Sequence, residues 1–223
     1  MKPLADGDAA TRDGVPGELA PGMRAAVPRG GTVSDGSRRS NAAARILDAA
    51  VRELAEHGAA GLSLQSVADR AGVSKGLVSY HYHDRSALLT RVAASIAERV
   101  AIRESHALDA ATPVTAVDGL WVWLTDELER GELRALLALG HDAEPAVRGA
   151  AAAAAAQRRS DSARTVTRLF SLIGLAPRVP AEMLGGTVAA FIDGVALGAA
   201  PRPADDPRAW FDVFWLAVLG LAE

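Results

Sequence analysis

The stretch Ser63–Leu89, SLQSVADRAGVSKGLVSYHYHDRSALL, decides the fold, because it holds two short helix signals joined by a tight glycine turn. Ser63 stands at an N-cap position, with Leu62 before it and Val67 four residues after it, so a hydrophobic staple closes over the start of a first helix. Ser74 repeats the device for a second helix, stapled by Val73 and Val78. Gly72 supplies the left-handed residue that ends the first helix, which makes Ala71-Gly72-Val73 the turn. This spacing predicts a helix-turn-helix. In such a unit the first helix braces against a nucleic-acid backbone, and the N-terminal residues of the second enter the major groove.

A 3.6-residue period puts Val78 and Tyr82 on the stapled face of the second helix and sends Lys75, Gly76, Leu77, Ser79, Tyr80 and His81 elsewhere. A cation, a bare backbone, a hydroxyl, a phenol and an imidazole within seven positions suit a surface that meets phosphates and base edges together. A merely solvated helix start would leave Tyr80 and His81 exposed without a reason. Gly76 costs a helix roughly 1 kcal/mol against Ala, which close approach to another molecule would explain.

The string VSKGLVSYHYHDRSALL (73–89) resembles the recognition helix and following segment of the tetracycline-repressor-like (TetR-like) family of bacterial transcription regulators. Upstream, RILDAAVRELAEHGAAGLSLQSVADRAG (45–72) is similar to the first two helices of the same domain, so the resemblance runs without a gap from Arg45 to Leu89. It implies an all-α chain: an N-terminal three-helix helix-turn-helix DNA-binding domain followed by a larger helical ligand-binding and dimerisation domain. It also implies that Gln65, Lys75, Leu77, Ser79, Tyr80 and His81 are operator-contacting positions, with Ser74 and Gly76 beside them, and that Arg85 stands where the family commonly has a phosphate-binding Lys. Tyr82 replaces a common Phe and puts a hydroxyl near the core edge. His83 and Asp84 replace small or turn residues, and Asp84 sets a negative charge beside Arg85.

Composition limits the alternatives. The 223 residues contain no Cys, which removes disulfides, thiol nucleophiles and thiolate metal sites, and a reducing cytoplasm is the expected setting. No run of eighteen apolar residues occurs and the first thirty residues lack an apolar core, so neither export nor membrane spanning is expected. The net charge is −3, unevenly spread. Residues 38–91 hold eight basic and five acidic side chains, a local +3, against −6 for the remainder, so only one end of the molecule is suited to DNA.

Residues 1–37, with seven Gly and four Pro, read as a flexible arm whose last neighbours, Arg38 and Arg39, either reach DNA or belong to a solvated tail. Residues 38–89 are the expected DNA-binding domain and 90–223 the expected body. A first helix is expected over Ala42–His57, capped by Ser40 or Asn41 and stopped by Gly58. A connecting helix is expected from Ser86 to Leu108, then helices beginning at Pro113, Glu132, Pro145, Pro180 and Pro207. The last two are apolar over more than one face, and a homodimeric four-helix interface using Leu184, Val188, Ile192, Val195, Phe211, Phe214, Trp215 and Val218 would bury them.

Enzymatic chemistry finds little support. His81 and His83 are two apart and do not share a helix face, so no metal site is expected, and no phosphate loop, nucleophile elbow or dinucleotide fingerprint occurs. Asp118, Asp126 and Asp193 sit on otherwise apolar helices with nothing to pair them as catalytic carboxylates. A sensor needs an enclosed cavity instead, for which Trp121, Trp123, Phe170, Met183 and Phe191 are candidate walls and Thr167, Thr187 and His106 polar handles. The expectation is a non-enzymatic, cofactor-free, homodimeric regulator that binds double-stranded operator DNA and is released by a largely apolar or aromatic small molecule. The alternative is a helical small-molecule or protein-binding module of the same fold that does not regulate DNA.

Overall fold

A computed structural model describes residues 35–198 and 206–223, with side chains from residue 41 onward. The arm expected over 1–37 lies outside the described residues up to position 34, as do the side chains of Arg38 and Arg39 and residues 199–205. Among the described residues the chain forms nine α-helices. α1 spans Asp35–Gly61, α2 Leu64–Ala71, α3 Lys75–Tyr82, α4 Arg85–His106 and α5 Ala116–Arg130. α6 spans Glu132–Ala138 and runs into a 3-10 turn at Leu139–His141, followed by α7 (Pro145–Ile173), α8 (Ala181–Leu197) and α9 (Pro207–Leu219). The one β-type pairing described is an isolated antiparallel bridge between Pro177 and Ala222.

The short helices obey their own sequence. Ser63 caps α2 by accepting from Ser66 N at 3.0 Å, and Ser66 Oγ accepts from Ser63 N at 3.0 Å, a reciprocal box built with serine at the third position. Ser74 caps α3 by accepting from Leu77 N at 3.2 Å. Gly72 ends α2 at φ 64°, and Leu62, Val67 and Val78 are buried as the staples require, with Val73 packed on them.

Three boundaries differ from expectation. α1 starts at Asp35, earlier than a Ser40 or Asn41 cap would allow, and Gly58 at φ 70° interrupts it before one further turn reaches Gly61. Asp84 is the cap of α4, accepting from Ala87 N at 2.8 Å, so that helix begins at Arg85. Pro113 does not open α5. It lies in a turn closed by the paired hydroxyls of Thr112 and Thr115, and the helix begins at Ala116.

One continuous core runs from Ile46 to Val218. The stripe Ile46, Ala49, Ala50 and Leu54 of α1 is buried, and α1 packs on α2, α4 and α6. α7 is the spine of the body and packs most extensively against α4 and α8. The alanine run 150–156 lies at that junction, where small side chains let helix axes come close. No helix among the described residues is long and apolar enough to cross a membrane.

Candidate nucleic-acid interface and buried chamber

Four long-range contacts hold α2 and α3 on α1. Arg45 donates to Ala71 O at 2.6 Å, at the carboxyl end of α2. Arg70 donates to Glu53 at 2.6 Å and to Glu56 through both terminal nitrogens. Its hydrogen bond holds Glu56 below the ordinary carboxylate range, and the two carboxylates hold Arg70 charged. Tyr82, whose hydroxyl was expected at the core edge, donates to Ala43 O at 3.0 Å, and burial pushes its phenol up. α3 is therefore a fixed rod, with one face sealed by Val78 and the other turned outward.

On that outward face Lys75 and Gly76 are exposed and Tyr80 is 66% exposed, the most open aromatic of the helix. Ser74 and Gln65 are exposed beside them, and Gln65 donates to Asp69 at 2.8 Å. Leu77, Ser79 and His81 are half-buried. Leu77 packs on the core edge, and His81 makes an edge contact with Tyr80 at 5.3 Å while its buried Nε2 has no hydrogen-bond partner. The outward set of the sequence thus divides into an open group and a half-sunk group.

Arg85 lies differently from a free phosphate ligand. Its guanidinium donates to Ala59 O at 2.6 Å and Leu62 O at 3.2 Å and approaches Asp142 at 3.4 Å, which ties the end of α1 to the turn after α6. A cation this engaged bridges the reading unit and the body.

The eight candidate effector contacts do not converge. Trp123 (7% exposed) and the half-buried Phe191 face a small internal chamber, whereas Phe170 is core and outside its walls. Trp121 stands beside the chamber, its ring tilted against Phe211 at 5.2 Å under the Arg208 guanidinium at 5.6 Å. His106, Thr167, Met183 and Thr187 are on the outer surface. Thr167 and Thr187 each turn the hydroxyl back to their own helix, on Ala163 O and Met183 O.

The proposed interface set also needs correction. Leu184, Val188, Ile192, Phe211, Trp215 and Val218 are each at most 4% exposed within one protomer, because α8 and α9 turn them onto α7 and α5. Phe214 stacks on Phe191 at 3.9 Å, and Val195 is half-buried. The apolar face left open is another one: Met183 and Leu197 on α8, and Trp210, Val213 and Leu216 on α9. Apolarity on all sides told that these helices bury two faces and could not tell which one their own chain covers.

The chamber has a volume of about 10 Å³ and is walled by α4, α5, α7, α8 and α9 through Glu104, Trp123, Val188, Phe191, Phe211 and Trp215, among others. Glu104 is 2% exposed, and desolvation pushes its carboxyl up to about 7 against the pull of Ser162 and Arg158. Sequence reading missed Glu104, yet a signal was present: Val92, Ile96, Val100 and Glu104 are spaced by four, so a carboxylate continues a buried stripe. Arg158, 1% exposed, likewise continues the stripe Val147, Ala151, Ala154 of α7 and pairs with Asp193. Asp118 pairs with Arg208 at 2.6 Å, so Asp118 and Asp193 serve as salt-bridge partners.

Residues 46–92 match the family model described as bacterial regulatory proteins, tetR family. Over 46 residues the chain is 44% identical to the HTH-type transcriptional regulator BetI of Burkholderia thailandensis, a match covering 21% of this chain and 24% of that protein. Only about a quarter of that relative is thus spanned. A transcriptional regulator from Rhodococcus sp. Rha1 superposes with a TM-score of 0.61 at 24% identity, over 81% of this chain and 97% of its own. The reduced form of NemR from E. coli gives 0.63 at 14% identity, over 82% and 98%. SmeT in its triclosan complex gives 0.58 at 21% identity, over 79% and 91%. These structural likenesses establish the fold. Residues 46–92 thus match the tetR family, and the all-α fold is shared with solved regulators along about four-fifths of the chain.

Proposed function

We propose that this chain is a ligand-responsive, DNA-binding transcription regulator of the cytoplasm, most simply a repressor. It would act as a homodimer whose two α3 helices read an inverted repeat. The observation that carries the reading is α3 itself: a braced, double-capped unit that presents Lys75, bare backbone at Gly76 and an open Tyr80 on one side. Lys75 supplies a phosphate or guanine contact, Tyr80 and Gln65 flank it, and the half-sunk Leu77, Ser79 and His81 shape the floor of the same face. Arg85, through Asp142, couples residues 38–89 as reading head to residues 90–223 as body.

The second copy would seat on the exposed apolar side chains of α8 and α9, Met183, Trp210, Val213 and Leu216. SmeT holds triclosan, an aromatic compound, and the aromatic lining of the chamber between α4 and α9 matches an effector of that broad character, which its volume of about 10 Å³ must expand to admit.

Selection from a random DNA pool, followed by a mobility-shift assay, tests the reading. An inverted repeat with half-site centres about 34 Å apart, or a multiple, is expected. Lys75→Ala and Tyr80→Ala should abolish specific binding with the melting temperature unchanged. Leu216→Glu should give monomers. Failure to enrich any sequence would leave the alternative, a helical module that does not regulate DNA.

A further inference from the structure

We propose that, on the reading of this chain as an effector-responsive regulator, the effector is an apolar aromatic molecule carrying a protonated amine whose N–H is accepted by the Glu104 carboxylate. Three polar atoms on the chamber's wall residues are buried without a hydrogen-bond partner: Glu104 Oε2, Trp123 Nε1 and Trp215 Nε1. Native proteins satisfy nearly all such atoms. Glu104 Oε2 is the acceptor among the three and the one that an ammonium N–H satisfies, whereas the two indole N–H groups are donors that an ammonium leaves unpaired. At about 10 Å³ the chamber holds no more than one water, which cannot serve three atoms on α4, α5 and α9.

The charges decide the ligand's sign. Beside Glu104 lie the charges of Arg158 and Asp161 and the hydroxyls of Ser162 and Thr165, all of α7. Arg158 is paired with Asp193, and Arg164 with Asp161, which leaves Glu104 as the carboxylate without an ion-pair partner among them. Arg158 also has two unpartnered nitrogens, but it does not line the chamber, whereas Glu104 does. The remaining wall is aromatic, with Trp123, Phe191, Phe211, Phe214 and Trp215, and ring faces favour a cation at their edge of the site. Burial keeps the empty site's carboxyl poised near neutrality, and an arriving ammonium converts it to the ion.

Access is built in. Thr165 lines both the chamber and an open cleft of about 360 Å³ between α4 and α7, whose walls include Ala101, Ser105 and Arg168. A ligand that reaches Glu104 past Thr165 parts α4 from α7. Because α4 starts at Arg85, directly after α3, that movement reaches the reading head.

Three isosteric probes test the sign: 1-naphthylmethylamine, 1-naphthalenemethanol and 1-naphthoic acid, titrated into the full chain without DNA and followed by tryptophan fluorescence. The amine should bind at least about tenfold tighter than the alcohol or the acid, and Glu104→Gln should bring the ratio of amine to alcohol to about one. Equal binding of the three probes, preference for the acid, no binding of the amine, or an amine preference surviving in Glu104→Gln would each overturn the proposal. The wild-type ordering stands as a test even if the variant folds poorly. A mobility-shift assay with the selected operator then separates the two readings. An amine that binds through Glu104 but releases no DNA supports the ligand chemistry and removes the regulatory role. Release by the alcohol or the acid without amine preference does the reverse.

Discussion

The reading head and the body solve their polar bookkeeping in opposite ways. In the head, α2 and α3 are eight residues each, and both carry a serine cap whose side chain takes a backbone N–H. The cations that tie them down, Arg45 and Arg70, stay partly open, and every nitrogen they use finds a partner on α1 or α2. Among the described residues of the head, His81 Nε2 is the single buried orphan. In the body, α5, α6, α7 and α8 have no side-chain cap, and the orphaned atoms belong to Glu104, Trp123, Arg158, Ser162 and Trp215. The head is a unit specified by neighbours in sequence. The body is a packed shell that tolerates unsatisfied buried groups, which a protein retains where a ligand or a movement uses them.

The largest break of this contrast should come from Arg158. It is 1% exposed, pairs with Asp193 and stands beside Glu104 and Asp161. Removing it leaves buried carboxylates without their counter-charge, so Arg158→Ala should cost about 3–5 kcal/mol in urea unfolding. Arg70→Ala should cost less, about 1–3 kcal/mol, because its Glu56 partner is half exposed although its Glu53 partner is buried. Similar losses at both sites would mean that the body's ions are no more buried than the head's.

The next effect is a pH dependence. Burial holds Glu104 at about 7 in the folded chain, against an ordinary 4.5. Between those values the folded chain binds more protons at this group than the unfolded one, so the stability it contributes is lost as pH rises from about 4.5 through 7. Across that window the loss is about 3 kcal/mol. Urea melts at pH 5 and pH 8 should show Glu104→Gln gaining on wild type by about this amount. Glu56, which Arg70 holds low, works in the opposite sense but is common to both chains and cancels in the difference. A constant difference between the two pH values would show that Glu104 is not buried in solution.

This contrast also explains what could be read from sequence. Caps and turn glycines act within four residues, so Ser63, Gly72, Ser74 and the staples were legible at their positions, as was the all-α class. Helix α7 was legible too, since Pro145 and Gly174 bound it. What failed depended on which face meets which neighbour. Leu184 and Leu216 are both leucines on apolar helices, yet one is 2% and the other 71% exposed, and only tertiary placement separates them. The partners of Arg85 were illegible for the same reason: Ala59, Leu62 and Asp142 are 23 to 57 residues away in sequence. Glu104 lay in plain view as one more position of a buried stripe, but a single carboxylate on a connecting helix reads as solvated until its neighbours are known.

A smaller effect should come from the junction that holds the body together. A Cβ built on Gly185 would lie 2.6 Å from the Cβ of Ala163 and against its backbone, so α8 and α7 touch there without room for a methyl group. Gly185→Ala should cost about 1–3 kcal/mol through overpacking, read as a lower urea midpoint. The same change at Gly149, with nothing within 4 Å of its would-be Cβ, should be neutral or slightly stabilising. Equal effects would mean that the α7–α8 contact is loose in solution, and with it the chamber that Val188 and Phe191 help enclose.

The smallest expected effect tests the head's half of the contrast. Ser63→Ala removes one member of the reciprocal pair with Ser66, leaving the Ser66 N–H without its acceptor, and should cost about 1 kcal/mol. Ser74→Ala removes the acceptor for Leu77 N and should cost a similar amount. If the head is specified locally, these losses fall first on α2 and α3. Amide exchange should quicken over residues 64–82, while protection in α7 and α8 changes by no more than the shift in global stability. Operator affinity should drop further for Ser74→Ala than for Ser63→Ala at equal stability, because Ser74 fixes the end of α3 that carries Lys75 and Gly76. Exchange that quickens equally along the whole chain would show one cooperative unit, in which the caps of the head and the buried ions of the body are felt everywhere at once.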